Sequence, residues 1–267
     1  MQQTHARNRF TKQNIELHSE SDFVAMRKAG KLAAETLDMI EEHVKVGVTT
    51  EELDRLCHNF ITKNGAIPAP LGYKGYPKSI CTSINHVVCH GIPSDKKLMD
   101  GDIVNIDVTV ILDGWHGDTS RMYTAGKTPV KAQRLIDVTY DCLVRGIEQV
   151  KPGNTLGDVA RAIQTLAESE RFSVVRDFCG HGLGKTFHAP PSVLHYYEPQ
   201  LDDVVFESGM FFTIEPMINA GDYATKVLAD GWTAVTRDRT LSAQYEHTIG
   251  VTDSGFEIFT LSPKHNR

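Results

Sequence analysis

The chain has 267 residues, 40% hydrophobic and 23% charged, which is ordinary globular usage and enough for one large domain or two lobes. A formal net charge of −6 without blocks of like charge shows no basic footprint of a nucleic-acid binder. The first 14 residues hold no apolar signal-peptide core, no run approaches a membrane span, and five cysteines without a C-x-x-C pair fit reduced thiols in a cytoplasmic protein better than a structural zinc.

In chain order, Met26, Ala29, Ala33, Leu37, Ile40 and Val44 recur at steps of three and four, which predicts a helix from about Ser21 to Val44. Thr49-x-x-Glu52 reads as a capping box opening a second helix, continued by Leu53, Leu56 and Phe60 and ended by Gly65 and Pro68. Strands are expected at about 103–111 and 115–123, joined by a type I′ turn at Asp113-Gly114. With that two-residue loop Leu112 faces Trp115 and Asp118 faces Thr109, so Asp107 lies diagonally beside Asp118 on one face. Further strands are expected near 172–176, 210–218, 231–236, 244–252 and 255–260, and residues 1–14 and 262–267 read as loose ends.

A weak internal repeat runs through this pattern. VKVGVTTEELDRLCHNFI from Val44 returns as VKPGNTLGDVARAIQTLA from Val150, aligning Gly47 with Gly153, Thr49 with Thr155 and Glu52 with Asp158. Each copy follows a helical stripe and precedes a strand carrying a carboxylate, Asp107 after Gly101 and Glu215 after Gly209. Two similar α+β halves with a cleft between them are expected, about 15–128 and 129–261, within a single catalytic domain spanning the chain.

Five residues stand out chemically. Asp107, Glu215 and Glu246 lie in apolar, strand-like runs, Asp118 sits on the hairpin, and His181 is flanked by glycines in GHGLG. Carboxylates are rarely buried unless paired or bound to metal, and two acids on one sheet face repel unless a cation or proton separates them. Taken singly, each acid reads as a surface or ion-pair residue; together, four carboxylates and one neutral imidazole nearly balance two divalent cations. Oxygen-rich ligation with one nitrogen suits Mn(II), Fe(II), Co(II) or Zn(II), and the natural chemistry of such a pair is hydrolysis. GHGLGKTFH is not a phosphate loop, because the required first glycine falls on Cys179. Its glycines instead let backbone pack closely around His181. Spacing alone assigns a role to neither His90 nor His188.

The stretches GYKGYPKSICTSINHVVCHGIP, GDIVNIDVTVILDGWHGDTSRM, CGHGLGKTFHAPP, SGMFFTIEPMINAG and LSAQYEHTIGVT closely resemble the bacterial-type (type I) methionine aminopeptidases, and the similarity runs from about residue 17 to 261. The resemblance implies an α+β pita-bread fold, two pseudo-twofold halves around a central antiparallel sheet, and removal of initiator methionine from nascent chains. It implies that Asp118 and Glu246 bridge two divalent ions, that Asp107 completes one site, and that His181 and Glu215 complete the other. Glu215 would shuttle the proton, while His90 and His188 would contact the substrate amide and help catalysis. Tyr73, Tyr76, Cys81, Phe187 and Trp232 would line the methionine pocket, although without the resemblance these side chains read as ordinary core. A monovalent cation (Na or K) at Asn85, Val87 and Ser242, a monomer, and association with the ribosome are further implications. Pro70 and Ala189 depart from common relatives without touching the ligand set. The competing reading is a non-catalytic pita-bread protein that binds peptides or ribosomal elements, for which loss of a ligand would be expected.

Overall fold

The computed structural model of the protein describes residues 9–264. Strands β1 (Arg9–Phe10) and β2 (Glu16–Leu17) lead into α1 (Glu20–Ile40) and α2 (Thr50–Lys63). Strands β3 (Ile67–Pro68), β4 (Cys81–Ile84), β5 (Val87–Cys89), β6 (Ile103–Leu112) and β7 (Trp115–Thr124) follow. Helices α3 (Val130–Ile147) and α4 (Leu156–Ser169) open the second half. It continues through β8 (Ser173–Val174), β9 (Gly180–Gly182), β10 (Ala189–Val193), β11 (Phe211–Ile214) and β12 (Met217–Asn219). The last strands are β13 (Thr225–Val227), β14 (Ala234–Thr236), β15 (Ser242–Gln244), β16 (His247–Val251) and β17 (Phe256–Ile258).

The hairpin forms in the expected register. Leu112 faces Trp115 and Thr109 faces Asp118, and both turn residues take left-handed φ, 51° at Asp113 and 83° at Gly114. Alternation then sorts the faces of β6. Val104, Ile106, Val108 and Val110 are buried against α1 and α2, while Asn105, Asp107 and Thr109 point the other way. On β7 the helix side carries Tyr123, whose hydroxyl donates to the Leu37 carbonyl at 2.7 Å, and Arg121, which pairs with Asp38 at 2.8 Å.

The two halves repeat each other in detail. Thr49 and Thr155 are both N-caps, and the preceding glycines share one conformation, φ 89° at Gly47 and 90° at Gly153. Gly47 N–H donates to the Leu98 carbonyl at 2.7 Å and Gly153 N–H to the Phe206 carbonyl at 3.2 Å. The capping expectation needs one correction. Thr49 Oγ1 accepts from Glu52 N–H, but the Glu52 carboxylate turns to Arg55, so the reciprocal bond is missing. The complete box is the second one, where Asp158 returns a bond to Thr155 N–H at 2.9 Å. Helix α1 also stops at Ile40, because Glu41–His43 tighten into a 3₁₀ turn and Val44 is extended.

Two expected strands are broken. The 210–218 stretch divides into β11 and β12 at Glu215-Pro216, and 244–252 divides into β15 and β16 at Tyr245-Glu246. Pro216 has no N–H to give a ladder, and the Glu246 N–H donates instead across the molecule to the Ser120 carbonyl at 3.2 Å. Pairing of Ile214 with His247 and of Met217 with Gln244 carries the register through the gap, so Glu215 faces Glu246. Seam bonds join the halves: Asn105 Nδ2 donates to the Gln244 carbonyl at 2.8 Å and Thr119 Oγ1 to the Glu246 carbonyl at 2.7 Å.

The ends are less loose than composition suggests. Arg9 pairs with Leu17 across a turn held by the Asn14 N–H bond to the Thr11 carbonyl. At the other end, Ser262 Oγ donates to Asp38 and Lys264 Nζ to Glu41, which ties residues 262–264 to the first half. The rest of those two segments, 1–8 and 265–267, lies outside the described residues. No helix among the described residues is long and apolar enough to cross a membrane.

Candidate metal centre and substrate cavity

Each half contributes a pair of acids from neighbouring strands. Asp107 and Asp118 project from β6 and β7; Glu215 and Glu246 face each other at the two strand breaks. The bridge between Ser120 and Glu246 brings the pairs together. His181 enters from β9, and its Nε2 lies 3.5 Å from Asp118 Oδ2 and 3.8 Å from Glu215 Oε1. Ligand atoms of Asp118, His181 and Glu246 all lie within 4.8 Å of one another, close enough to share one cation. The glycines around His181 permit this approach. A Cβ on Gly180 would stand 2.4 Å from the Thr213 carbonyl oxygen, and one on Gly182 2.0 Å from that of Pro190.

The donors fit a divalent pair on physical grounds. Asp118 and Glu246 are 3% exposed, and among the described residues neither Asp107 nor Glu246 has a lysine or arginine within ion-pair distance. Burial, then repulsion from Asp118 and Glu215, pushes the Asp107 carboxyl well above the usual range, and the same causes raise Glu246. Burial also raises Glu215 to about 7 against the opposing pull of His181. Burial alone would lower His181, but the Asp118 and Glu215 carboxylates win and raise it to about 9. Without a cation the cluster therefore holds protons that it must release to bind metal.

Hydroxyls and an amide orient the acids. Thr109 Oγ1 donates to Asp118 Oδ1 at 2.7 Å, Thr213 Oγ1 to Glu215 Oε1 at 2.8 Å, and Gln244 Nε2 to Glu215 Oε2 at 3.2 Å. The hairpin register had already set Thr109 opposite Asp118; Thr213 and Gln244 were not singled out, although each sits two residues from a candidate ligand, hence on the same strand face.

The acids floor a cavity of about 580 Å³. All of the expected pocket residues, Tyr73, Tyr76, Cys81, Phe187 and Trp232, line it. Tyr76 is fixed by its hydroxyl, 3.1 Å from the carbonyls of Ile80 and Gly91, and its ring meets Trp232 edge-on at 5.1 Å. His188 stacks on Tyr73 at 5.1 Å and lies 4.1 Å from the His181 ring. His90 takes a left-handed φ of 56° and meets Phe178 edge-on at 5.5 Å. Burial lowers both histidines, His188 to about 4, so each presents one donor and one acceptor at neutral pH. Cys89, Phe178, Cys179 and Met217 also line the wall and were not anticipated.

Asn85, Val87 and Ser242 do not reach this cavity. Ser242 N–H donates to the Asn85 carbonyl at 2.8 Å, Val87 pairs with Val235, and Ser242 Oγ is buried without a hydrogen-bond partner among the described residues.

A nest of buried and half-buried acids around one imidazole, under an apolar cavity between two α+β halves, defines a metallohydrolase of the pita-bread fold. The model of metallopeptidase family M24 matches residues 24–253, and the chain belongs to that family. A methionine aminopeptidase of Rickettsia prowazekii is 65% identical over 251 residues, covering 94% of this chain and 96% of the relative. The methionine aminopeptidase of Escherichia coli strain K12 is 56% identical over 249 residues, covering 92% and 94%. The crystal structure of the Rickettsia prowazekii enzyme superposes with a TM-score of 0.91 at 64% identity, covering 92% of this chain and 100% of that one. The prolidase of Pyrococcus horikoshii, at 21% identity and a TM-score of 0.75 over 94% of this chain and 65% of its own, shares the fold.

Proposed function

We infer that this chain is a dimetal methionine aminopeptidase, a single catalytic unit with halves of about 15–128 and 129–261, that removes initiator methionine and prefers a small second residue. The observation that carries this reading is the complete donor set, four acids and His181, beneath an aromatic- and sulfur-lined cavity. In it Asp118, Glu246, Asp107, His181 and Glu215 would hold the two ions, Asp118 and Glu246 serving both, Asp107 one, and His181 with Glu215 the other. When bound, the ions supply an ionised water near neutral pH and polarise the scissile carbonyl.

The chain's own residues do the rest. Tyr73, Tyr76, Cys81, Phe187 and Trp232 take the methionine side chain, whose unbranched thioether suits aromatic and sulfur walls. Glu215 accepts the proton of the attacking water and returns it to the leaving amine. His188 donates to the carbonyl oxygen as charge develops there, and His90 holds the scissile amide. Both stay neutral, which leaves a lone pair or an N–H available without an added charge beside the ions.

Iron(II), manganese(II), cobalt(II) and zinc(II) all fit the donors. A sodium or potassium ion at the Asn85 and Val87 carbonyls and Ser242 Oγ would supply the partner that this buried hydroxyl lacks among the described residues. A cytoplasmic monomer that meets nascent chains at the ribosome, without specific nucleic-acid recognition or membrane attachment, completes the reading. The test is hydrolysis of Met-Ala-Ser with Co(II) or Mn(II), abolished by chelation and restored by metal. Undiminished turnover after thorough chelation would overturn the metal role, and no turnover by the metal-loaded protein would leave a non-catalytic binding role in its place.

A further inference from the structure

We propose that His195 is the positioning residue for Glu215, resting on the reading above that Glu215 serves the metal centre. His195 is 0% exposed, and its Nε2 accepts the Glu215 backbone N–H at 3.0 Å. That contact fixes Nε2 as the bare nitrogen and places the proton on Nδ1, which is buried without a partner among the described residues.

The sheet explains why a side chain is needed there. On one edge β9 pairs with β11 at Phe212, and β8 pairs with β12 at Ile218 and Asn219. The Val175 N–H reaches the Met217 carbonyl, after which the chain leaves the sheet and Asp177, Phe178 and Cys179 build the cavity rim. Between Phe212 and Met217 this edge has no paired strand among the described residues, and the Glu215 N–H falls in the gap. His195 fills it with an imidazole in place of a carbonyl.

The same segment also sets His181. In β10, Ser192 and Val193 pair with His181 and Gly180, and His195 follows two residues later. Residues 192–195 therefore fix one ligand by strand register and its neighbour by a single acceptor. A filler needed only for packing would be apolar, since a leucine leaves no ring N–H buried. The polar ring is explained by its acceptor, directed at the backbone of the residue that moves the proton. Outer partners of this kind hold ligands in their working orientation.

The experiment has three arms. In Zn(II)-loaded protein labelled with ¹⁵N-histidine, His195 is expected to show bare Nε2, protonated Nδ1 and a coupling to the Glu215 amide. By calorimetry, H195L is expected to bind Mn(II) about 10–100-fold more weakly than the wild type, and H195Q, whose Oε1 reaches the same point, to recover most of that loss. In turnover of Met-Ala-Ser, H195L is expected to lose kcat about tenfold or more with KM within about twofold, and H195Q to return to within about threefold. A protonated Nε2, unchanged Mn(II) affinity in H195L, or H195Q as impaired as H195L would each overturn the proposal. Inactive wild-type protein that still showed the bare Nε2 and the affinity pattern would refute the peptidase reading and sustain the positioning role.

Discussion

The two halves reach one geometry by different routes. In the first, Asp107 and Asp118 stand on unbroken ten-residue strands joined by a two-residue turn, so local register alone brings them together. In the second, Glu215 and Glu246 face each other across interrupted strands, and the bonds that hold them come from Thr213, Gln244, His195 and the other half's Ser120. Regular pairing positions an acid at no extra cost. A break frees the backbone to aim the acid but leaves polar groups for side chains to satisfy. Glu215, which on the proposed reading both holds metal and moves a proton, sits at such a break.

Substitution of ligands gives the largest expected effect. D107N in one half and E246Q in the other should each lower kcat/KM on Met-Ala-Ser by a factor on the order of 10³ or more, with metal content falling below that of the wild type by atomic emission. Retention of full metal by either variant would mean that the halves do not share the ions equally.

A smaller effect concerns pH and stability. With metal removed, His181 has a folded pKa of about 9, above its usual 6.5, so its stabilisation is present below 6.5 and is lost as pH rises through 9. The raised carboxyls of Asp107 and Glu246 act in the same direction, because the folded state binds their protons more tightly. Chemical denaturation of the metal-free protein should therefore show stability falling between pH 7 and 9, by up to on the order of 1 kcal/mol per unit. Saturating Mn(II) should flatten the profile, since the bound ligands carry no protons and the unfolded chain has already lost most of its own above pH 7. A flat profile without metal would mean that the acids are not gathered as described.

The hydroxyl pair sharpens the contrast between halves. T109V removes one bond to Asp118, whereas T213V removes the bond to Glu215 and the acceptor for the His181 N–H at 3.0 Å. T213V should cost kcat about tenfold and T109V only a few-fold, as read by steady-state kinetics. Equal losses would show that the broken strand needs no more support than the regular one.

The smallest effect tests the caps. T155A should destabilise the protein by about 1–2 kcal/mol and T49A by about 0.5–1 kcal/mol in urea melts, because only the second box is reciprocal. The reverse order would contradict that difference.

Much of this was legible in the sequence. The apolar stripe of α1, the Asp113-Gly114 turn and the Asp107–Asp118 diagonal follow from periods of 3.6 and 2.0 and from the residues that accept left-handed φ. Membership of the family and the outline of the pocket were carried by long motifs. The break at Glu215-Pro216 carried a visible proline, yet the apolar run around it read as one strand. His195 carried no mark at all: a histidine in a loop offers nothing in sequence to show that its ring closes a gap in a sheet.

What the sequence determined by itself is local: which stretches coil or extend, where they turn, and which side chains share a face, because those follow from sterics between near neighbours. What tertiary structure decided is where strands stop, which N–H groups are left over, and which distant side chains answer them. Those outcomes depend on the neighbour across the sheet, and that neighbour is chosen only when the two halves close on each other.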